Sequence, residues 1–131
     1  MRTTAYTGDE GTGHRNAVGD RLSAGRVRSA ASDWSRFPLG TKFQIVGTKE
    51  IYEIDDYGGA LIGTNTIDLY KATRTAMRAW GVRRVDVEIL QWGSAEQSLK
   101  VLRPRRHVRI VGRMVAALET KTRRQSALRE F

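Results

Sequence analysis

Short runs with strand periodicity, each stopped by a glycine-bearing turn, restrict this chain to a mainly β fold. Lys42-Phe43-Gln44-Ile45-Val46 alternates Phe43 and Ile45 as a half-buried strand does, and it stops at Gly47. Ile51-Tyr52-Glu53-Ile54 is a second run. It leads into Asp55-Asp56-Tyr57-Gly58-Gly59, where paired glycines permit the positive φ of a sharp turn. In Thr66-Ile67-Asp68-Leu69-Tyr70 the two-residue period sets Ile67 and Leu69 on one face and Asp68 and Tyr70 on the other. Arg84 to Leu90 alternates as a single strand, with Val85, Val87 and Ile89 inward and Asp86 and Glu88 outward. Between these last two runs, Ala72, Ala76 and Trp80 recur every four residues ahead of Gly81, which predicts one short helix from Lys71 to Trp80. From Arg2 to Ser32 bulky apolar residues are few, and the reading is loops with a short extended piece at Thr4-Ala5-Tyr6.

The 131 residues bound one compact domain with an added segment. The boundary is read at a change of character, giving a body over 1–92 and a basic C-terminal extension over 93–131. The net charge is +9, yet residues 1–90 contribute only +2 and the last 41 residues +7. Strong positive charge is therefore a property of the extension, and a nucleic-acid partner is not expected on that distribution. The extension is expected as a solvated or packed appendage, with Met114 to Leu118 able to form an amphipathic helix. Its charge would concentrate the protein on an anionic wall polymer or a membrane surface. Without cysteine, disulfides, thiol nucleophiles and cysteine-ligated zinc are excluded. No apolar run reaches the ~18 residues of a membrane-spanning helix, and no basic-then-apolar leader follows Met1, so no signal peptide is read in this chain.

Candidate chemistry narrows to carboxylates. His14 and His107 are too few for a histidine triad or a multi-histidine metal site, and no metal or cofactor is expected. The glycines between Gly8 and Gly13 lack the lysine and preceding strand of a phosphate loop. Asp33, Asp55, Asp56 and Asp68 remain, with the last three close in sequence around the Gly58-Gly59 turn. An Asp is a proton donor near neutral pH only if burial or a like charge raises its pKa above about 3.9, and Asp56 is placed to supply that charge to Asp68. Against this stands a plainer reading of turn formers, a cap and a solvated strand residue. Trp34, Trp80 and Trp92 are read as barrel core or rim rather than sugar platforms.

Taken in order, Thr4-Ala5-Tyr6, Ala31-Ser32-Asp33 with Pro38-Leu39-Gly40-Thr41, Asp56-Tyr57-Gly58-Gly59-Ala60-Leu61-Ile62-Gly63 and Ile67-Asp68-Leu69-Tyr70 resemble the three-aspartate (3D) domain family over about residues 3 to 91. This is the family of the catalytic part of membrane-bound lytic transglycosylase A and the small stationary-phase muralytic proteins. The resemblance implies a six-stranded double-psi β-barrel with a short helix. It also implies a peptidoglycan lytic transglycosylase that cleaves the β-1,4 bond between N-acetylmuramic acid and N-acetylglucosamine and leaves a 1,6-anhydro sugar. Asp68 then matches the catalytic acid and base, Asp56 the assisting carboxylate and Asp33 a supporting one, with Asp55 at a variable position. Thr4, Tyr6, Gly58 and Gly59 would bind substrate. Ile62 departs from a frequent lysine, and the stretch from Gly63 to Asp68 is one residue longer than usual. The implied partner is the glycan strand, and the implied location is exported, in periplasm or cell wall. The alternative is a non-catalytic, expansin-like glycan-binding barrel.

Overall fold

A computed structural model of the chain describes residues 1–8 and 14–129; of the Gly8-to-Gly13 cluster only Gly8 lies among them, and the extension is described as far as residue 129. The architecture is mainly β. The strands are β1 (Arg2–Tyr6), β2 (Val27–Ser32), β3 (Lys42–Ile45), β4 (Ile51–Tyr57), β5 (Ile67–Tyr70), β6 (Arg83–Arg84) and β7 (Val87–Gln91). They form one sheet in the order β6-β1-β5-β2-β4-β3-β7. The expected count was six. Among the described residues there are seven, because the single strand expected over Arg84 to Leu90 is two pieces on opposite edges: β6 pairs with β1, and β7 pairs with β3.

That split forces the sheet to curl. Laid flat, seven strands would set the two edges roughly 29 Å apart, whereas the three peptide steps from Arg84 to Val87 reach at most about 11 Å. The join is visible in two bonds from adjacent residues. The Val85 N–H donates to the Met1 carbonyl at 2.9 Å, and the Asp86 carbonyl accepts from the Val46 N–H at 2.9 Å. A barrel-like sheet results, with parallel pairing of β1 with β5 and of β2 with β4 inside it.

Two expectations near the acidic stretch are corrected. The second strand does not end at Ile54 but runs to Tyr57, and the turn starts only at Gly58. Gly58 itself is extended, at φ −144°, and opens a one-turn 3₁₀ helix over Gly59–Leu61. The left-handed φ needed to leave that turn falls on Gly63, at 82°. In addition, Val27–Ser32, read as loop, is a buried strand at the centre of the sheet. The short helix begins at Arg74 rather than Lys71, because the Lys71 N–H still bonds to the Tyr6 carbonyl in continuation of the β1–β5 pairing. Thr73 caps it by accepting from the Ala76 N–H, and Gly81 closes it at φ 63°.

The core side of the sheet carries Phe43, Ile45, Tyr52, Ile54, Ile67 and Leu69, with the Phe43 and Tyr52 rings stacked at 5.6 Å. The segment after Gly93 folds as α2 (Ala95–Leu102), a 3₁₀ turn over Arg103–Arg105 and α3 (Arg109–Arg129). Leu99 and Leu102 of α2, with Val111, Met114, Val115 and Leu118 of α3, join the same core cluster. Each such side chain stabilises the fold by about 1.5–3 kcal/mol when removed from water. Among the described residues no helix is long and apolar enough to cross a membrane.

Gly93 makes the transition from sheet to helices possible. A Cβ there would stand 2.2 Å from the Leu39 carbonyl oxygen and 2.6 Å from the Thr41 nitrogen, so the backbones touch where a side chain would be. The Gly93 N–H uses this proximity to donate to Thr41 Oγ1 at 3.0 Å. Gly93→Ala is therefore expected to lower the unfolding free energy by about 2–4 kcal/mol, because backbone rather than a flexible side chain must give way. Denaturant unfolding checks this, and a loss below ~0.5 kcal/mol would contradict the close packing at Gly93.

Candidate active site

The acidic site is built by one extra residue. Along the parallel β2–β4 pair, Ala30 faces Ile54, but the next residue, Ala31, faces Asp56, so Asp55 is a bulge. Before the bulge the core side of β4 is Tyr52 and Ile54; beyond it the residue packed against the core is Tyr57. Asp55 and Asp56 therefore both take the opposite side, although strict alternation would have sent Asp56 inward with Ile54. Across the sheet the same row reads Thr4, Asp68, Ala31, Asp56. Asp68 and Asp56 sit two strands apart, with Cα atoms roughly 9–10 Å from each other by strand spacing. In that row Ala31, with its methyl side chain, stands between them.

Each carboxylate has its own surroundings. Asp68, half-buried, accepts from Thr4 Oγ1 at 2.8 Å, the bond that the in-register β1–β5 pairing makes available. Asp55 accepts from Ser29 Oγ at 2.5 Å and Asn16 Nδ2 at 3.1 Å through Oδ2. Burial pushes the Asp55 carboxyl above its ordinary range, against those two hydrogen bonds. Asp56 accepts from the Tyr57 N–H at 3.0 Å, and its own carbonyl accepts from Trp34 Nε1 at 2.8 Å. Burial lifts the Asp56 carboxyl to about 6, helped by the like charges of Asp55 and Asp68 and opposed by the Tyr57 N–H and Arg105. Tyr6 feels all three acids: burial first, then Asp56, Asp55 and Asp68, push its hydroxyl far up, so it stays neutral. Tyr6 Oη and Asp55 Oδ1 are buried with no hydrogen-bond partner among the described residues.

The structure thus gathers Thr4, Tyr6, Asp56 and Asp68 with Asp55, a candidate carboxylate that the family resemblance set at a variable position. Asp33 has other engagements. It is 2% exposed, and its oxygens accept from the Ser35 N–H, Ser35 Oγ and the Gly63 N–H at 2.8–2.9 Å. It clasps the end of β2 to the loop after Asp56. Gly58 and Gly59 lie in that loop, and a Cβ on Gly59 would stand 3.6 Å from Ile110 of α3. Helix α3 supports the same region through Lys121, whose Nζ donates to the Ser35 carbonyl. Arg105, from the turn between α2 and α3, donates to the Ala17 carbonyl at 2.9 Å and to Tyr57 Oη at 3.4 Å. No spacing signal in the sequence pointed to Arg105, whereas the Asp55-Asp56 doublet was a visible one. Trp34 is fully buried as read; Trp92 is 60% exposed and stacks on Phe37. Among the described residues, no group of three or more His, Cys, Asp or Glu side chains is placed to hold a metal ion.

Residues 28–91 match the model of the family described as the 3D domain, and this part of the chain belongs to that family. The match includes Asp33, Asp55, Asp56 and Asp68, and it begins after β1, which carries Thr4 and Tyr6. No curated protein matches the chain.

The elevated Asp56 makes stability depend on pH with a definite sign. Its folded pKa lies above its ordinary value of 3.8, so the folded state is favoured while the group is protonated, fully below pH 4. That advantage is lost as pH rises through about 6. Asp56→Asn keeps an acceptor for the Tyr57 N–H and removes the charge. Discounting for partial exposure, the variant should gain about 2 kcal/mol over wild type at pH 7.5 relative to the difference at pH 3.5. Denaturant unfolding at the two pH values checks it, and a pH-independent difference would contradict the environment assigned to Asp56.

Proposed function

We propose that this protein is an exported peptidoglycan lytic transglycosylase, with Asp68 as the single general acid and base and Asp56 as the assisting carboxylate. The observation that carries the reading is the common row of Asp68 and Asp56 beside Tyr6, within a segment of 3D family sequence. We read the curled sheet as the family's double-psi β-barrel, a reading supported by its two internal parallel pairs. We assign the glycan strand as substrate and place the protein outside the cytoplasm, where that polymer lies.

The chemistry asks little of the protein beyond one well-placed proton. Burial first, and then the like charges of Asp55 and Asp68, let Asp56 keep a proton at a pH where isolated carboxyls have lost it, and we assign that proton to the Asp56–Asp68 pair. Asp68 gives that proton to the oxygen leaving C1 of N-acetylmuramic acid, and the C1–O bond breaks through an oxocarbenium-like state. The Asp68 carboxylate then takes the proton of the C6 hydroxyl on the same sugar. The C6 oxygen bonds to C1, closing the 1,6-anhydro ring and returning Asp68 to its protonated form. Because the nucleophile belongs to the substrate, the second carboxyl that a hydrolase needs to activate water or attack the sugar is not required. Thr4 holds the Asp68 carboxyl in place, and the buried Tyr6 hydroxyl stays neutral beside the acids.

Digestion of purified sacculi by wild type and Asp68→Asn, with mass analysis of released sugars, tests this. Wild type should release muropeptides ending in anhydro sugars, and the variant should be slower by about 10²–10⁴-fold. Reducing-end sugars from wild type would move the reaction to a water acceptor. Binding to sacculi with no released sugar would favour the expansin-like alternative, and equal release by both chains would refute the role of Asp68.

A further inference from the structure

The side of the sheet that carries the acidic row also carries a row of the opposite charge, two residues earlier on the same strands. Arg2 shares its side of β1 with Thr4, and Thr66, just before β5, shares its side with Asp68. The two earlier residues meet, since Arg2 Nη1 donates to Thr66 Oγ1 at 3.0 Å. Arg84 stands opposite Arg2 across the β6–β1 pair. Arg84, Arg2 and Thr66 therefore follow one line, about 7 Å along the strands from Thr4 and Asp68. Arg83 pairs with Thr3 and takes the other side, over the Trp80 ring.

A cavity of about 620 Å³ lies on this row, lined by Met1, Arg2, Phe37, Asn65, Thr66 and Arg84. That volume is within the usual range for small-ligand sites. The lining holds two guanidinium groups and no acid. Among the described residues neither arginine is ion-paired, the two ion pairs being Arg28 with Glu50 and Arg36 with Asp33. The polar lining is oriented. Thr66, 7% exposed, anchors Arg2, and Asn65 Oδ1 accepts from Arg36 Nη1 at 2.8 Å, which commits its oxygen and leaves its amide N–H groups to a ligand. Phe37 is the apolar wall. Its N–H donates to the Asp33 carbonyl at 2.9 Å, its carbonyl accepts from Ser32 Oγ at 2.7 Å, and Trp92 stacks on its ring. A forked guanidinium presents paired donors that match the oxygens of a carboxylate or a phosphate. An aromatic wall with a hydroxyl and an amide beside it suits the body of a sugar, apolar on its ring face and polar at its edge.

We propose that this cavity binds an oxyanion carried by a sugar, with Arg2 and Arg84 as its contacts and Phe37 against the ring. The anion site stands on the cavity itself, whereas the choice of a sugar as carrier rests on the reading of glycan as substrate. The oxyanion is either a carboxylate or a phosphate. Asp55, Asp56 and Asp68 repel any anion brought to the acidic side, and the arginine row is where that same side accepts one.

Titration calorimetry on the intact chain at low salt tests this without requiring turnover. The probes are N-acetylmuramic acid against its methyl ester, and N-acetylglucosamine 6-phosphate against N-acetylglucosamine. At least one anion should bind about tenfold tighter than its neutral counterpart, the scale of one charge-assisted hydrogen bond, and the anion that does so names the group. Arg2→Gln and Arg84→Gln should each remove most of that preference. Arg83→Gln, which deletes the same charge from the other side of β6, should retain it, all three with a wild-type circular dichroism spectrum. Equal binding of anions and neutral counterparts by wild type, a preference unchanged in Arg2→Gln, or an equal loss in Arg83→Gln would overturn the inference. Preference for an anion with no anhydro sugar released from sacculi would leave the cavity assigned and remove the transglycosylase reading; cleavage without preference would do the reverse.

Discussion

The site depends on a single inserted residue in β4. Parallel strands pair with an even rhythm, and an extra residue is an uncommon interruption of it. Here it changes which way the chain faces: Tyr52 and Ile54 enter the core, Asp55 is passed over, and Tyr57 resumes the inward role. Two consecutive aspartates are thereby delivered to the same side, in line with Asp68 on β5. The bulge is tied down by Ala17 and Asn16 from outside the sheet and by Ser29 of β2 within it, since the Asp55 carbonyl accepts from the Ala17 N–H and its carboxylate from Asn16 and Ser29. Without it, Asp56 would be buried among apolar side chains, where an unpaired carboxylate is far more costly.

Around this row the fold supplies stiffness. Asp33 spends both oxygens on Ser35 and Gly63 and so fixes the loop that follows Asp56. Trp34, fully buried, donates to the Asp56 carbonyl and meets Tyr57 edge-on at 5.3 Å. The helical segment after Gly93 supports the same region from behind, with Lys121 on the Ser35 carbonyl and Arg105 on Tyr57 and Ala17. A stretch that stands out in the sequence by its charge therefore contributes both apolar mass to the core and a guanidinium beside the acids.

Much of this was legible from residue order, and what was not has physical causes. The alternation of Ile67, Asp68, Leu69 and Tyr70 foretold their faces, because a strand buried on one side imposes a two-residue period. Val27–Ser32 escaped notice since Ser and Ala carry little strand preference; they suit this central position because small side chains let neighbouring strands pack closely. The bulge could not be seen either, as nothing in Ile51 to Tyr57 announces which residue is left unpaired. Gly58-Gly59 was read as the corner for its permissive backbone, but the left-handed residue is Gly63, fixed there by its bond to Asp33. The division of Arg84 to Leu90 between two sheet edges is a consequence of closure, and local pattern holds no record of it.

Holding three carboxyls together on one side of a small sheet is unfavourable at neutral pH, and the molecule retains the arrangement with a neutral tyrosine, a nearby guanidinium and few other charges against it. Such a cluster is what a proton-transfer site requires. Carbon-13 detected titration of the aspartate side-chain carboxyls addresses it most directly. Asp56 should titrate near 6 and shift to lower pH in Asp68→Asn, because removing the neighbouring charge relieves the repulsion. An Asp56 that titrates near its ordinary 3.8 and ignores the change at Asp68 would contradict the shared acidic row.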